Sequence, residues 1–115
     1  MLYFAYGSNL HHFQMKRRCK DSIFLKKINL KDFRLTFRSR YRAADIEHKK
    51  NSIVPGALFE ISKNDEKKLD LYEDFPILYK KYYFFYKKGQ HYCPYFTFRI
   101  PEFSIGVHHY VRKNA

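Results

Sequence analysis

Residues 2–10 read LYFAYGSNL. Leu2 to Tyr6 is a short apolar and aromatic run, as expected of a buried strand. Tyr6-Gly7-Ser8-Asn9 then breaks it with turn chemistry. Gly7 permits a positive φ and leaves room against the backbone. Asn9 is a favoured helix N-cap. Amides that follow such a glycine point toward the start of the next helix, where the dipole is positive. With the Ser8 and Asn9 side chains, this turn can hold a carboxylate or a developing oxyanion. Taken alone, YGSN also makes an ordinary turn with an Asn cap.

Outward from that stretch, strands dominate. Leu10, Phe13 and Cys19 fit one side of a short helix ending near Arg18. Ser22 to Leu30 is strand-like, Lys31-Asp32 reads as a turn, and Phe33, Leu35 and Phe37 alternate with Arg34, Thr36 and Arg38. Ser39 to Ser52 has no clear period and reads as a basic loop. Ile53 to Ile61 is another strand, with Pro55-Gly56 suggesting an edge or bulge near its start. Ser62, Asp65 and Glu66 form a helix start, and the helix runs to Tyr72 or Glu73, with Pro76 preventing its extension. Tyr79 to Tyr86 and His91 to Arg99 are strands around a turn at Lys87 to Gln90. The tail from Pro101 is short and polar. The order β-α-β-β-β-α-β-β predicts an α+β fold: a small mixed β-barrel of about six strands with two outer helices.

The 115 residues suit a single domain, 1–115, and 45% are apolar, enough for a core. Twelve Phe and eleven Tyr, with no Trp, favour strands over a helical bundle. A net charge of +12 attracts anions in general, whether nucleic acid, acidic lipid or carboxylate substrates, and equally describes a well-solvated Lys-rich surface. Arg34, Arg38, Arg40 and Arg42 can form a basic face at strand spacing. The two cysteines, Cys19 and Cys93, lie in no CxxC pair, and the His11-His12 and His108-His109 pairs diverge, so no metal site is expected. No stretch approaches the ~20 apolar residues of a membrane span. A cytoplasmic location is the simplest expectation.

The second stretch with chemistry in it is LDLYEDFPILYKK, residues 69–81. Glu73 falls at a helix end beside Tyr72, Phe75 and Pro76. The negative end of the helix dipole and apolar neighbours both disfavour an ionised carboxylate there. Such tuning suits a general base working near neutral pH. Read alone, Glu73 is also consistent with one more exposed acid on a charged helix.

Taken together, these segments resemble the gamma-glutamylcyclotransferase-like family. YFAYGSNL (3–10), MKRRC (15–19), RAADI (42–46), IVPGALFEIS (53–62) and LDLYEDFPILYKK carry the resemblance, in that order. It implies a small mixed β-barrel with outer helices and conversion of a small gamma-glutamyl substrate to 5-oxoproline and free amine. It further implies that Tyr3, Phe4, Ala5, Tyr6, Gly7, Ser8 and Asn9 form the substrate-binding loop. Glu73 would then be the catalytic acid/base, and Tyr79 would line the pocket. No metal and no cofactor are required. Asp74, where many relatives have Gly, and the spacing through Pro76 to Tyr79 suit the gamma-glutamylamine type. The C-terminal segment is shorter than in larger members. The alternative is a basic β-barrel that binds RNA or another polyanion without catalysis.

Overall fold

The structure is a computed structural model that describes residues 1–7, 12–37, 44–73 and 75–100, with the backbone alone at 12 and 13. Its elements are β1 (Leu2–Ala5), α1 (His12–Arg18), β2 (Ile23–Thr36), β3 (Asp45–Glu60), α2 (Lys63–Tyr72), β4 (Lys80–Lys88) and β5 (His91–Arg99).

Successive strand residues face opposite sides, and β1 is buried on both: Tyr3 and Ala5 on one, Phe4 on the other. Such a strand belongs in the middle of a sheet. The order is β2-β3-β1-β5-β4, with β1 at the centre. It runs antiparallel to β3, Ala5 opposite Ala57, and parallel to β5, Tyr3 opposite Phe96. The Thr97 hydroxyl donates to Phe4 O at 2.7 Å across the parallel pair.

Each face carries its own core. Tyr3, Phe59, Phe96 and Phe98 lie under Met15 and Cys19 from the α1 side and Leu69 of α2. Phe4, Leu30, Ile46, Val54, Leu58 and Tyr95 form the second cluster, which contains no helix residue among the described side chains. There the sheet covers itself. Phe33 of β2 meets Phe84 of β4 with ring centroids 5.5 Å apart, and Phe84 stacks on Tyr95 at 5.7 Å. β2 and β4 are the two outer strands, so they meet through side chains and not through a backbone ladder. The α+β class and the outer helices are as expected. Of the expected small barrel or strongly curved sheet of about six strands, the described residues form the curved sheet, open and with five strands.

Two of the expected strands are one. Lys31-Asp32 is not a turn but lies inside β2, opposite a bulge in β3. Between the partner pairs Lys31–Ile53 and Phe33–His48, β2 has only Asp32 while β3 has residues 49–52. Asp32 takes φ 66°, and its carboxylate accepts from Asn51 N at 3.0 Å. That local bond is the one that makes Asp a turn former, so turn and bulge look alike in sequence. The loop reading of Ser39 to Ser52 is likewise corrected, since Asp45 to Ser52 belongs to β3. This end of β3 pairs with β2 alone, and its exposed side chains have no reason to alternate. Pro55-Gly56 lies in mid-strand, but beyond the end of the β1 pairing, where β3 again has only β2 beside it. Gly56 is there because the Phe4 ring and Ala5 O crowd it; a Cβ would lie 2.6 Å from that oxygen.

The helix start at Ser62 holds. Its Oγ accepts from Asp65 N at 3.1 Å, and the Asp65 carboxylate accepts from Ser62 N at 3.3 Å. The same carboxylate accepts from Asp21 N at 3.3 Å, tying α2 to the turn after α1. The α1 end of this contact is completed by Arg18, whose guanidinium sits 3.5 Å from the Tyr72 ring centre. The expected Asn9 cap, Leu10, and Arg38, Arg40 and Arg42 of the basic face lie outside the described residues, as does the tail from Pro101. Arg34 pairs with Glu47 across β2 and β3. No helix among the described residues is long and apolar enough to cross a membrane.

Candidate active site

Four backbone segments converge where β1 ends. The first is the turn itself. Gly7 has φ +66°, and a Cβ on it would lie 2.9 Å from the Ala44 Cβ. Both the dihedral and the contact exclude a side chain. Ser8 and Asn9 lie outside the described residues.

Tyr6, just before the turn, is held by a hydrogen bond from its hydroxyl to Phe98 O near the end of β5. Burial pushes its ionisation well above the ordinary 10.0, and Asp45, Tyr79, Tyr3 and Glu73 add to the shift in that order. Tyr79 comes from the segment between α2 and β4. Its hydroxyl donates to Ala44 O at 2.6 Å. Burial raises its ionisation too, followed by Glu73, Asp45 and Tyr72. Both phenols are therefore neutral donors at any physiological pH.

Glu73 is the C-cap of α2; its N–H donates to Leu69 O at 2.8 Å. It stands half-buried at the negative end of the helix dipole. Its carboxylate is close enough to act electrostatically on both Tyr6 and Tyr79. The segment leading from Glu73 to Tyr79 is anchored by Lys81. That ammonium lies 2.7 Å from Glu66 and 2.9 Å from Asp70, and 4.5 Å from the Phe75 ring centre. Burial would lower its ionisation, but hydrogen bonds to Glu66 and Asp70 outweigh that and raise it. The ammonium thus stays charged and pins the far side of the helix end.

Of the residues singled out in the sequence, Gly7 and Tyr79 both meet Ala44, and Glu73 lies within electrostatic reach of Tyr6 and Tyr79. Tyr3, Phe4 and Ala5 are buried strand residues. Tyr3 faces the helix-covered core and Phe4 the other, so their part in a site is to anchor the turn. Asp45 was missed. It is fully buried in β3, beside Tyr6 and Tyr79 in the electrostatics, and its Oδ1 accepts from Ile100 N at 2.8 Å. The signal was an acid bracketed by Ala44 and Ile46 just ahead of an apolar strand. An apolar hollow of about 540 Å³ lies at the opposite end of β1, against Met1, Leu2, Tyr83 and Phe96. It shares none of the four expected residues.

Chemically, the half-buried Glu73 carboxylate stands near two neutral phenols whose protons are held by backbone carbonyls, and near the glycine that follows β1. A carboxylate in that setting can carry a proton.

The gamma-glutamyl cyclotransferase, AIG2-like family matches residues 3–104. Among solved structures, one named gamma-glutamyl cyclotransferase superposes with a TM-score of 0.74 at 22% identity, covering 88% of this chain and 66% of that one. An uncharacterized Homo sapiens protein gives 0.75 at 22% identity with the same coverage. An AIG2-like protein from Mus musculus gives 0.70 at 14%, covering 91% of this chain and 80% of that one. The chain spans just under two thirds of the length of the first two. At these identities the likeness is one of fold. No curated protein matches.

Proposed function

The chain belongs to the gamma-glutamyl cyclotransferase, AIG2-like family, and on that premise we propose that it converts a gamma-glutamyl amine or gamma-glutamyl dipeptide to 5-oxoproline and free amine. The observation that carries this reading is the position of Glu73. It caps α2 within electrostatic reach of the Tyr6 and Tyr79 phenols, and that supports a proton-carrying role.

In the proposed reaction the substrate's α-amine attacks its own γ-carbonyl carbon. Glu73 accepts a proton from that amine as the new C–N bond forms. It returns the proton to the leaving nitrogen as the old C–N bond breaks, so charge and protons balance. Residues 3–9 form the substrate loop: Tyr3 to Ala5 anchor it and the amides after Gly7 donate to the oxyanion or the α-carboxylate. Tyr79 lines the pocket. Because nucleophile and electrophile share one molecule, holding the substrate folded supplies much of the acceleration. The spacing from Glu73 to Tyr79 favours gamma-glutamylamines.

The test is release of 5-oxoproline from a panel of gamma-glutamyl amines and dipeptides, with wild type and Glu73→Gln side by side. Release by wild type and its loss in Glu73→Gln are expected. Release from none of the panel, or undiminished release by Glu73→Gln, would overturn the assignment.

A further inference from the structure

A buried carboxylate is costly unless it is well bonded, and Asp45 is fully buried. Its surroundings give it a task. Two short segments meet beneath the Gly7 turn: Ala44-Asp45 leading into β3 and Phe98 to Ile100 ending β5. Ala44 O accepts from Tyr79 at 2.6 Å, and the Ala44 Cβ abuts Gly7. Phe98 O accepts from Tyr6. The contact described between the segments themselves is Asp45 Oδ1 accepting from Ile100 N at 2.8 Å. Each segment therefore holds one site phenol, and Asp45 joins the segments.

We propose that Asp45 is a positioning residue, the clamp between β3 and β5 that keeps Tyr6, Gly7 and Tyr79 in one arrangement around the substrate. It rests on the cyclotransferase reading for its kinetic consequence, but not for its geometry. Asp45 touches no reacting atom and acts through the backbone of Ile100. Without it, the end of β5 is held on its β4 side alone, and Tyr6 can shift with the Phe98 carbonyl. A misplacement of about 1 Å at a reacting centre costs about 10²-fold in rate.

The experiment compares wild type, Asp45→Asn and Asp45→Ala. Asn keeps an oxygen that can accept from Ile100 N–H; Ala does not. Three quantities are read: kcat and KM on the best gamma-glutamyl substrate, hydrogen exchange of the Ile100 amide, and the chemical shift of the Gly7 amide. Asp45→Ala is expected to lose about 10²-fold in kcat with a smaller change in KM, to expose the Ile100 amide and to move the Gly7 resonance. Asp45→Asn should restore most of all three. Wild-type kcat in Asp45→Ala, or an Ile100 amide equally protected in it, overturns the proposal. Should Asp45→Ala fail to fold, Asp45→Asn decides: a protected Ile100 amide with kcat within about tenfold of wild type supports the clamp, and a lost amide or a collapse in kcat sinks it. Should wild type release no 5-oxoproline, the reaction assignment falls separately. The exchange and chemical-shift readings then still decide the clamp.

Discussion

Helix α2 carries an important acid at each end, and the two are set in opposite ways. At the N-terminal end Asp65 is fully buried and saturated with backbone donors, from Ser62 and from Asp21. Ser62 closes the arrangement by donating its hydroxyl to Asp21 at 2.8 Å. At the C-terminal end Glu73 is half-buried, and the side chains beside it spend their own protons on backbone carbonyls, Tyr6 on Phe98 O and Tyr79 on Ala44 O. Backbone donors tie the first acid to the fold. The second stands at the negative end of the helix dipole beside two phenols, where the proposed reaction needs a proton carrier.

The sharpest way to break this comparison is Glu73→Gln. The amide keeps the shape but accepts no proton, and kcat should fall about 10²–10⁴-fold. The thermal melting curve should stay where it is, because the cap bond is made by the backbone. A parallel loss of melting temperature would mean that Glu73, too, is structural.

Asp65→Ala is the mirror experiment. It leaves the Ser62 and Asp21 amides without their partner and removes half of a capping box, which should cost about 1–3 kcal/mol in denaturant unfolding. The kcat of the molecules that remain folded should match wild type. A specific loss of kcat would erase the division of labour between the two ends.

Gly7→Val tests the turn that follows β1. A branched residue at φ +66° is strained, and its Cβ meets Ala44. A penalty of about 1–3 kcal/mol is expected, visible by calorimetry as weaker binding of 5-oxoproline. Unchanged affinity would make residues 6–9 a plain turn.

The smallest effect sharpens the frame around Glu73. Both phenols ionise above their ordinary 10.0 when folded, so the unfolded chain gives up its protons first. From about pH 10 upward each should lower stability by about 1.4 kcal/mol per pH unit, and neither should contribute below pH 9. Tyr79→Phe should flatten that alkaline slope by the share of one group. An unaltered slope would mean that Tyr79 is not held neutral by its surroundings.

Much of this was legible in the chain, and the misses have physical causes. The start of α2 was readable because a Ser with an acid three residues on is a local device, complete within one turn. Its end was readable because Pro76 cannot continue a helix. The continuity of β2 was hidden because Asp32 bonds the same way in a turn and in a bulge. The first half of β3 was hidden because a strand that overhangs its sheet loses the alternation by which strands are recognised. Open against closed was hidden because closure depends on whether β2 and β4 share a ladder, and Phe33 meeting Phe84 replaces that ladder with packing. Within the site, Gly7 and Glu73 stood out in their local chemistry, and Tyr79 only through the family resemblance. Asp45 was not, since its partner Ile100 is 55 residues away.

The central place of β1 sets a schedule for the molecule's assembly. The β2–β3 and β4–β5 pairs are hairpins that can form from neighbouring chain. β1 must wait: it can lie against β3 once residue 60 has been made, but its other edge, joined through Phe4 to Thr97 93 residues later, stays open until β5 appears. At the usual pace of synthesis, about 5–20 residues per second, the edge of an apolar strand is unpaired for roughly 5–20 s on the ribosome. Non-local pairing of this kind is also the slow kind in the test tube. The Tyr6–Phe98 bond is made in that same late step, so in refolding, activity should return after the hairpins' spectroscopic signals, and a newborn chain should be a customer for chaperones until its last strand docks.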